Sequence, residues 1–320
     1  CGKSLIPARM DDMTALRTAL AVTGLSIALL AVAAPANAAG PSLPDGDTLI
    51  AASCLGGTDA TIFDVNSTTG AATALGSGNA GYECAYQASW DASSKTLYGT
   101  IWDADSVLVK WDTLTGALVE VGPVLDGVTP VDVDTLVIGL DGAAYVLDFN
   151  ELYRVDLATG AATDLGALAA LTTNAYGAAV DPTTGILYLL GEDGDLFTLD
   201  PVAVTATYVA SWTFSAEAEN VYGLAIDSAG IAWVVEYPGD TVYSALYSTP
   251  LATFGVAPVL SGDIVDTATT LNYNSWWVTI IDTPVKPALA NTGVDVAPIA
   301  VTGLLLGLVG VTLVVRRRVA

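Results

Sequence analysis

The strongest constraint on the fold is a unit of 44–48 residues that recurs along the middle of the 320-residue chain. Each copy contains an apolar, β-branched run that ends near an Asp or Ser, and Gly or Pro follows in most copies. The aligned positions are spaced 48, 44, 44 and 48 residues apart, at Asp64, Asp112, Asp156, Asp200 and Ser248. Self-similarity with such a period is typical of repeat architectures.

The clearest copy of the unit predicts four short strands, at Tyr176–Asp181, Ile186–Leu190, Leu196–Asp200 and Ala206–Ser211. Their β-branched and aromatic runs are separated by Gly, Pro, Asp and Ser, as strands and tight turns require. Helical periodicity is absent from this part of the sequence. Four antiparallel strands in a unit of this length predict one blade of a β-propeller, so the fold class is all-β.

The number of units predicts five blades. The first unit lacks an opening strand, since it has only Asp47–Ser53 and Thr61–Val65, and the late stretch Thr269–Ile281 lacks third and fourth strands. Pairing these two ends closes the ring and removes an open sheet edge. A six-bladed ring with an incomplete last blade is the main alternative. Tandem immunoglobulin-like domains fit less well, because their repeat runs near ~100 residues.

The repeated pattern resembles the loosely conserved extracellular propellers of the NHL, lactonase-like and YVTN type. The resemblance covers about residues 45–282. Its motifs are generic, so it implies a fold and no particular activity.

The N-terminal region has the features of a secretory signal peptide in the correct order. Arg17 gives a short positive segment, and the apolar run Ala19–Ala34 is below the ~20 residues that a membrane span needs. We therefore predict a signal peptide over 1–38, with an upstream extension over 1–12, and a propeller over 39–282. The small residues at the predicted cleavage site are Ala36, Ala38 and Ala39.

The C-terminal region ends in an uncharged stretch, Val296–Val315, which is long enough to cross a bilayer core of roughly 30 Å. A basic cluster follows and would stay on the cytoplasmic side. This predicts a linker with a sorting motif over 283–293 and a transmembrane segment with a basic tail over 294–320. The basic residues are Arg316, Arg317 and Arg318, and the motif is Leu289, Ala290, Asn291, Thr292 and Gly293.

The pentapeptide resembles the LPxTG sorting signals that sortases read in Gram-positive-type bacteria. With Ala290 in place of proline, it is closer to the LAxTG variant of high-GC actinobacterial sortases. The resemblance implies cleavage between Thr292 and Gly293 and transfer of Thr292 to a cell-wall amine. Sortase would be a transient partner and peptidoglycan a covalent one. The alternative is an uncleaved membrane protein with the same extracellular domain.

The charge is strongly negative between the two ends. The whole chain carries −24, the leader 1–38 contributes +1 and the residues after Gly293 contribute +2, which leaves −27 in between. The cations of this middle part are Lys95, Lys110, Arg154 and Lys286. Such a field repels phosphate backbones, so we expect no nucleic-acid binding.

The sequence contains no histidine, which excludes a Ser-His triad and His-ligated zinc or copper. It also lacks a G-x-S-x-G elbow, a zinc signature and a phosphate-binding loop, so no catalytic residue or metal ligand is assigned. Only Cys54 and Cys84 follow the signal peptide, and outside the cell they predict one disulfide.

Three acidic loops are candidates for weak calcium binding, since Ca²⁺ takes several oxygen ligands. None matches a complete EF-hand loop, and no other cofactor is expected. The loops are Asp103–Asp105, Asp132–Asp134 and Glu192–Asp195. The Asp that ends each third strand is predicted to form a local turn, with Gly taking a positive φ.

The candidate ligand site is aromatic. Tyr176 and Tyr222 hold the same position in their units, and Tyr86 holds a similar one. Because the first strand of a propeller blade lines the central channel, these rings are expected at its mouth, in a setting suited to a sugar or a peptide. We expect the tryptophans to pack mainly in the core. The sequence thus predicts a wall-anchored protein that binds an extracellular glycan or protein, or has a structural role at the surface. The alternative is a lactonase- or glycosidase-like enzyme that uses carboxylates.

Overall fold

The computed structural model describes residues 41–55, 59–82, 84–102, 105–214, 220–237, 244–256, 258–266 and 275–282. The predicted signal peptide, sorting motif and transmembrane segment lie outside these residues. The side chains of Cys54, Cys84 and Tyr86 are also not described, so the disulfide remains a prediction. Within the described ranges, no helix has the length and apolarity to cross a bilayer.

The described chain consists of short β-strands and a single 3₁₀ turn at Leu251–Thr253. In chain order, the strands of the first half are β1 (Asp47–Leu55), β2 (Asp59–Val65), β3 (Ala71–Ala74), β4 (Asn79–Ala80), β5 (Cys84–Asp91), β6 (Thr96–Trp102), β7 (Ser106–Trp111), β8 (Leu118–Pro123), β9 (Leu125–Asp126), β10 (Thr129–Pro130), β11 (Thr135–Ile138) and β12 (Ala144–Asp148). Those of the second half are β13 (Glu151–Val155), β14 (Ala161–Ala167), β15 (Ala175–Val180), β16 (Leu187–Gly191), β17 (Asp195–Asp200), β18 (Thr205–Ser211), β19 (Asn220–Ile226), β20 (Ile231–Tyr237), β21 (Ala245–Pro250), β22 (Val259–Asp263), β23 (Val265–Asp266) and β24 (Ser275–Asp282).

The strands form five sheets, each built on four antiparallel strands, so the protein is a five-bladed β-propeller. From the centre outward, blade 1 is β24-β1-β2-β3, blade 2 is β5 to β8, blade 3 is β11 to β14, blade 4 is β15 to β18 and blade 5 is β19 to β22. The innermost strands β24, β5, β11, β15 and β19 neighbour one another around the ring. Short strands extend two blades: β23 pairs with β3, and β9 pairs with β14 and β10.

The two chain ends close the ring within blade 1. The late strand β24 is its innermost strand and pairs antiparallel with β1 over the register Asp47↔Asp282 to Ser53↔Ser275. This confirms the predicted closure, in which the opening unit lacks a strand and the last stretch supplies it. The six-bladed alternative is wrong, because the late strand β24 completes blade 1 and does not start a sixth blade.

The core consists of five apolar clusters, one between each pair of neighbouring blades. Four tryptophans are buried in them, as predicted: Trp111, Trp212, Trp233 and Trp277. Trp277 is fully buried between blades 1 and 2, where its Nε1 donates to the carbonyl oxygen of Ala85 at 3.1 Å. Large rings fill the wedge-shaped space that opens between radiating sheets.

The repeat alignment needs correction in the first and last blades. In blades 2 and 3, the turn residue Asp112 or Asp156 accepts a backbone hydrogen bond from a Gly four residues later. In blade 1 that bond goes to Asn66, from Gly70, so the equivalent of Asp112 is Asn66 and not Asp64. In blade 5 the sheet register makes Pro250, and not Ser248, the equivalent of this turn residue. The hydrophobic pattern of a strand repeats every two residues, which makes a shift of two positions easy to miss.

Candidate functional site

The candidate site lies at the end of the central channel where the innermost strands begin. In four of these strands a β-bulge shifts the register there, at Tyr86, Tyr176, Tyr222 or Trp276. In blade 3, Asp134 holds the equivalent place, since it directly precedes Thr135 and its N–H donates to the Leu147 carbonyl oxygen at 2.8 Å. We call this end of the channel, with its five positions, the mouth. Bulges re-aim side chains and are frequent beside functional sites.

Two of the predicted tyrosines meet at the mouth. The rings of Tyr176 and Tyr222 stack with centroids 5.0 Å apart and an interplanar angle of 27°. Tyr237 packs edge-on against Tyr222 at 5.2 Å. Tyr176 and Tyr222 remain partly exposed. The structure places Tyr86 at the equivalent backbone position, and its side chain is not described.

A buried amide crosses the channel just below the tyrosines. Gln87 follows the bulge of β5, is 3% exposed, and its Nε2 donates across the axis to the carbonyl oxygens of Tyr176 and, at 3.4 Å, Tyr222. A ligand that enters the channel at the mouth would therefore meet this polar bridge directly below the tyrosines. The sequence pattern gave no sign of this residue.

The acidic side of the mouth centres on Asp134. Its Oδ2 accepts a hydrogen bond of 2.8 Å from the N–H of Phe149, a residue with a left-handed φ of 53° in the β12–β13 hairpin. Burial raises the pKa of Asp134 to about 6, against the lowering effect of the Phe149 N–H bond. The negative charges of Asp132, Asp148 and Glu192 raise this pKa further. The carboxyl is thus poised to change protonation near neutral pH.

The groups around Asp134 share this environment. Burial raises the pKa of Asp148 and of Glu192, with neighbouring carboxylates adding to each shift. Burial likewise raises the pKa of Tyr176, whose hydroxyl oxygen accepts a 2.7 Å hydrogen bond from Asn174 Nδ2. An aromatic pair therefore lies beside several desolvated carboxylates. Such a setting favours a ligand that offers hydrogen-bond donors or a positive charge to the ring faces and the oxygens.

The structure brings two of the three acidic loops together. The loops Asp132–Asp134 and Glu192–Asp195 both lie near Tyr176, whereas Asp105 belongs to the β6–β7 hairpin of blade 2. In the part of the chain that the structure describes, no three His, Cys, Asp or Glu side chains are grouped so as to hold a metal ion. Sequence reasoning missed Asp134 as an equivalent of the tyrosines. The equivalence of Asp134 follows only from the observed register, in which Thr135 pairs as Gly177 does in blade 4.

No protein-family profile and no curated protein matches this chain. Solved structures do. A protein of unknown function from Bacteroides caccae is 10% identical, with 73% of this chain and 98% of that chain covered and a TM-score of 0.43. XC5397, a gluconolactonase from Xanthomonas campestris, is 11% identical over 72% and 82% of the two chains, with a TM-score of 0.41. The chain spans only 52% and 61% of two others, a Bacteroides thetaiotaomicron protein and Citrobacter koseri AztD, at TM-scores of 0.39 and 0.35.

Proposed function

We propose that this protein is displayed on the bacterial cell wall and binds an extracellular ligand, a glycan or a peptide, at the mouth of its propeller. The observation that carries the binding proposal is the stacked pair Tyr176–Tyr222 beside the carboxyl of Asp134. Rings of this kind stack on sugars or on the side chains of a peptide, and carboxylates accept hydrogen bonds from hydroxyl or ammonium groups.

The direction of the last strand supports display. All five innermost strands run away from the mouth, so β24 ends at the opposite end of the channel. Its last residue, Asp282, accepts a hydrogen bond from the Trp90 indole and forms an ion pair with Lys95, both of blade 2. The last described residue before the proposed sorting motif therefore lies at the end of the channel opposite the mouth. An anchor on that side would keep the mouth turned away from the wall.

The binding proposal is tested with glycan and peptide arrays probed with the purified full-length chain. We expect binding that weakens about tenfold or more in Tyr222→Leu, which removes the stacking partner of Tyr176 and keeps apolar volume. The matched control is Tyr208→Leu, because Tyr208 is 54% exposed on the outermost strand of blade 4. Equal loss in both variants, or no binding to either array, would contradict a ligand site at the mouth.

The anchoring proposal is tested separately in the native host. Mass spectrometry of wall digests is expected to find a peptide that ends at Thr292 and is linked to a wall fragment. Recovery of mature protein that still carries residues 294–320 would favour the uncleaved membrane protein instead. This outcome would leave the binding proposal untouched.

An enzymatic role is the second candidate, and the raised pKa of Asp134 is the observation that favours it. A carboxyl with a pKa near 6 suits general acid or base work at neutral pH. The check is a screen with lactones and aryl glycosides. Turnover that is lost in Asp134→Asn, with the fold intact, would make this chain an enzyme.

A further inference from the structure

Positive charge is scarce in this propeller and its placement is uneven. Among the described residues the cations are Lys95, Lys110 and Arg154. Lys95 is used in the ion pair with Asp282 at the end of the channel. The other two line a single groove between blades 2 and 3, which we call the blade 2–3 groove.

The two cations hold equivalent positions on neighbouring blades. Lys110 on β7 lies opposite Tyr98, and Arg154 on β13 lies opposite Tyr145. Both are on the third strand, two residues before the turn Asp. The groove has a volume of about 760 Å³. Small side chains keep it open, at Gly142, Ala143, Ala144, Ala158 and Ala161.

Neither cation has a carboxylate partner within the described part of the chain, where Lys95–Asp282 is the ion pair that forms. The Lys110 ammonium lies 5.4 Å from the centroid of the Tyr98 ring, an arrangement that holds the charge in the groove. Arg154 is exposed, so its guanidinium is available to solvent.

Two carboxylates also line the groove, and local hydrogen bonds engage both. The Asp91 oxygens accept from the hydroxyls of Ser93 and Ser94 at 2.7 and 2.5 Å. Asp156 Oδ1 accepts from the Ala158 N–H at 2.8 Å. These hydrogen bonds hold both carboxylates in their own turns, and neither carboxylate forms an ion pair with Lys110 or Arg154.

The neighbouring groove between blades 3 and 4 provides an internal comparison. It has a volume of about 550 Å³, and Thr198 stands there at the position that Arg154 and Lys110 hold in their blades. Among the described residues, no cation lines it. Inter-blade grooves of this fold thus exist without positive charge, and of these two grooves the one between blades 2 and 3 carries the cation pair.

We propose that the blade 2–3 groove binds an oxyanion group, a carboxylate or a phosphate, carried by an extracellular polymer. The Arg154 guanidinium presents donors in a fork that matches two oxygens, and Lys110 adds a point charge. The net charge of the domain repels polyanions at long range, so binding depends on these short contacts and is weak to moderate. This site is separate from the mouth and does not depend on the function proposed for it.

The test measures dissociation constants of the full-length chain by isothermal titration calorimetry with three probes. These are a hexagalacturonate for carboxylates, a glycerol-phosphate oligomer for phosphates, and the neutral maltohexaose. We expect one charged probe or both to bind, and we expect maltohexaose to give no heat of binding. The double variant Lys110→Gln/Arg154→Gln should weaken binding about tenfold or more, since charge-assisted hydrogen bonds are lost.

The matched control is Lys95→Gln, which removes the same charge from the third described cation, outside the groove. It should bind the charged probe as the native chain does, and so should Tyr222→Leu at the mouth. Thermal unfolding confirms that each variant is folded. The proposal is overturned when neither charged probe binds the native chain, or when Lys95→Gln weakens binding as much as the double variant.

Discussion

The turn after the third strand and the mouth of the channel differ in how much of the repeat they preserve. In the turns of blades 1 to 4, backbone and side chains recur together: Asp112 and Asn66, for example, both accept amide hydrogen bonds from residues two and three positions later. At the mouth the backbone recurs but the side chains do not, since Asp134 stands where blades 4 and 5 have tyrosine. Regular positions hold the ring together, and the departures from regularity create a site with its own chemistry.

The turns also bring neighbouring blades into close contact. Gly160 has φ +82°, and a Cβ built there would lie 2.6 Å from the Pro123 carbonyl oxygen of blade 2. Gly116 has φ +69°, with the Leu75 carbonyl oxygen of blade 1 at 2.4 Å. At Gly116 and Gly160 glycine is therefore favoured both by its own left-handed backbone and by the adjacent blade, whereas in blade 4 Val204 takes the equivalent position with φ 53°.

The largest predicted effect breaks this regular region. Gly160→Ala should lower the free energy of unfolding by about 3 kcal/mol, of which ~1–2 kcal/mol comes from the left-handed backbone and the remainder from the clash with Pro123. For a domain of this size the melting temperature should fall by roughly 6–12 °C. Differential scanning calorimetry or circular dichroism checks this.

The matched control is Gly230→Ala. Gly230 has a similar φ of +76°, and a Cβ there meets nothing within 4 Å. It should lose only the backbone contribution of ~1–2 kcal/mol. If both substitutions cost the same, the contact between blades is not what fixes glycine in the repeated turn.

The sequence predicts the regular repeat well and the mouth poorly. The blade unit, the number of blades and the closure by the two ends could be predicted because turn residues and alternating strands are local patterns. The convergence of Asp134 with Asp132, Asp148 and Glu192 could not, because it depends on the register and on burial between two blades. The Gln87 bridge could not be predicted either. It joins Gln87 to Tyr176 and Tyr222, which lie 89 and 135 positions further along the chain, and a local sequence pattern does not report such a separation.

The second prediction concerns the mouth and its dependence on pH. The pKa of Asp134 is raised to about 6 in the folded state, above its ordinary value of 3.8. The folded state therefore binds the proton of Asp134 more tightly than the unfolded state does. The stabilisation that comes from this protonated carboxyl is lost as the pH rises from about 4 to 6. Asp134→Asn should raise the free energy of unfolding at pH 7 by about 1–2 kcal/mol, after allowance for solvent screening.

The amide oxygen of the introduced asparagine can still accept the Phe149 N–H, so the hairpin is preserved. The measurement is urea unfolding between pH 4 and 8, where the variant should lose the decrease that the native chain shows between pH 4 and 6. A decrease of unchanged size in the variant would assign it to other carboxyl groups, such as Asp148 or Glu192.

The smallest effect comes from the same chemical change in the regular region. Asp112 is exposed, and the backbone N–H groups of Leu114 and Thr115 lower its pKa. Its contribution to stability is therefore present above its ordinary pKa and is lost as the pH falls through the lowered value, opposite in sign to Asp134. Asp112→Asn should change the free energy of unfolding at pH 7 by no more than about 0.5 kcal/mol, because blade 1 already uses Asn66 in this turn. Urea unfolding of both Asn variants side by side checks the contrast: a stabilisation at pH 7 as large for Asp112→Asn as for Asp134→Asn would mean that the overall negative charge, and not the buried setting of the mouth, governs both.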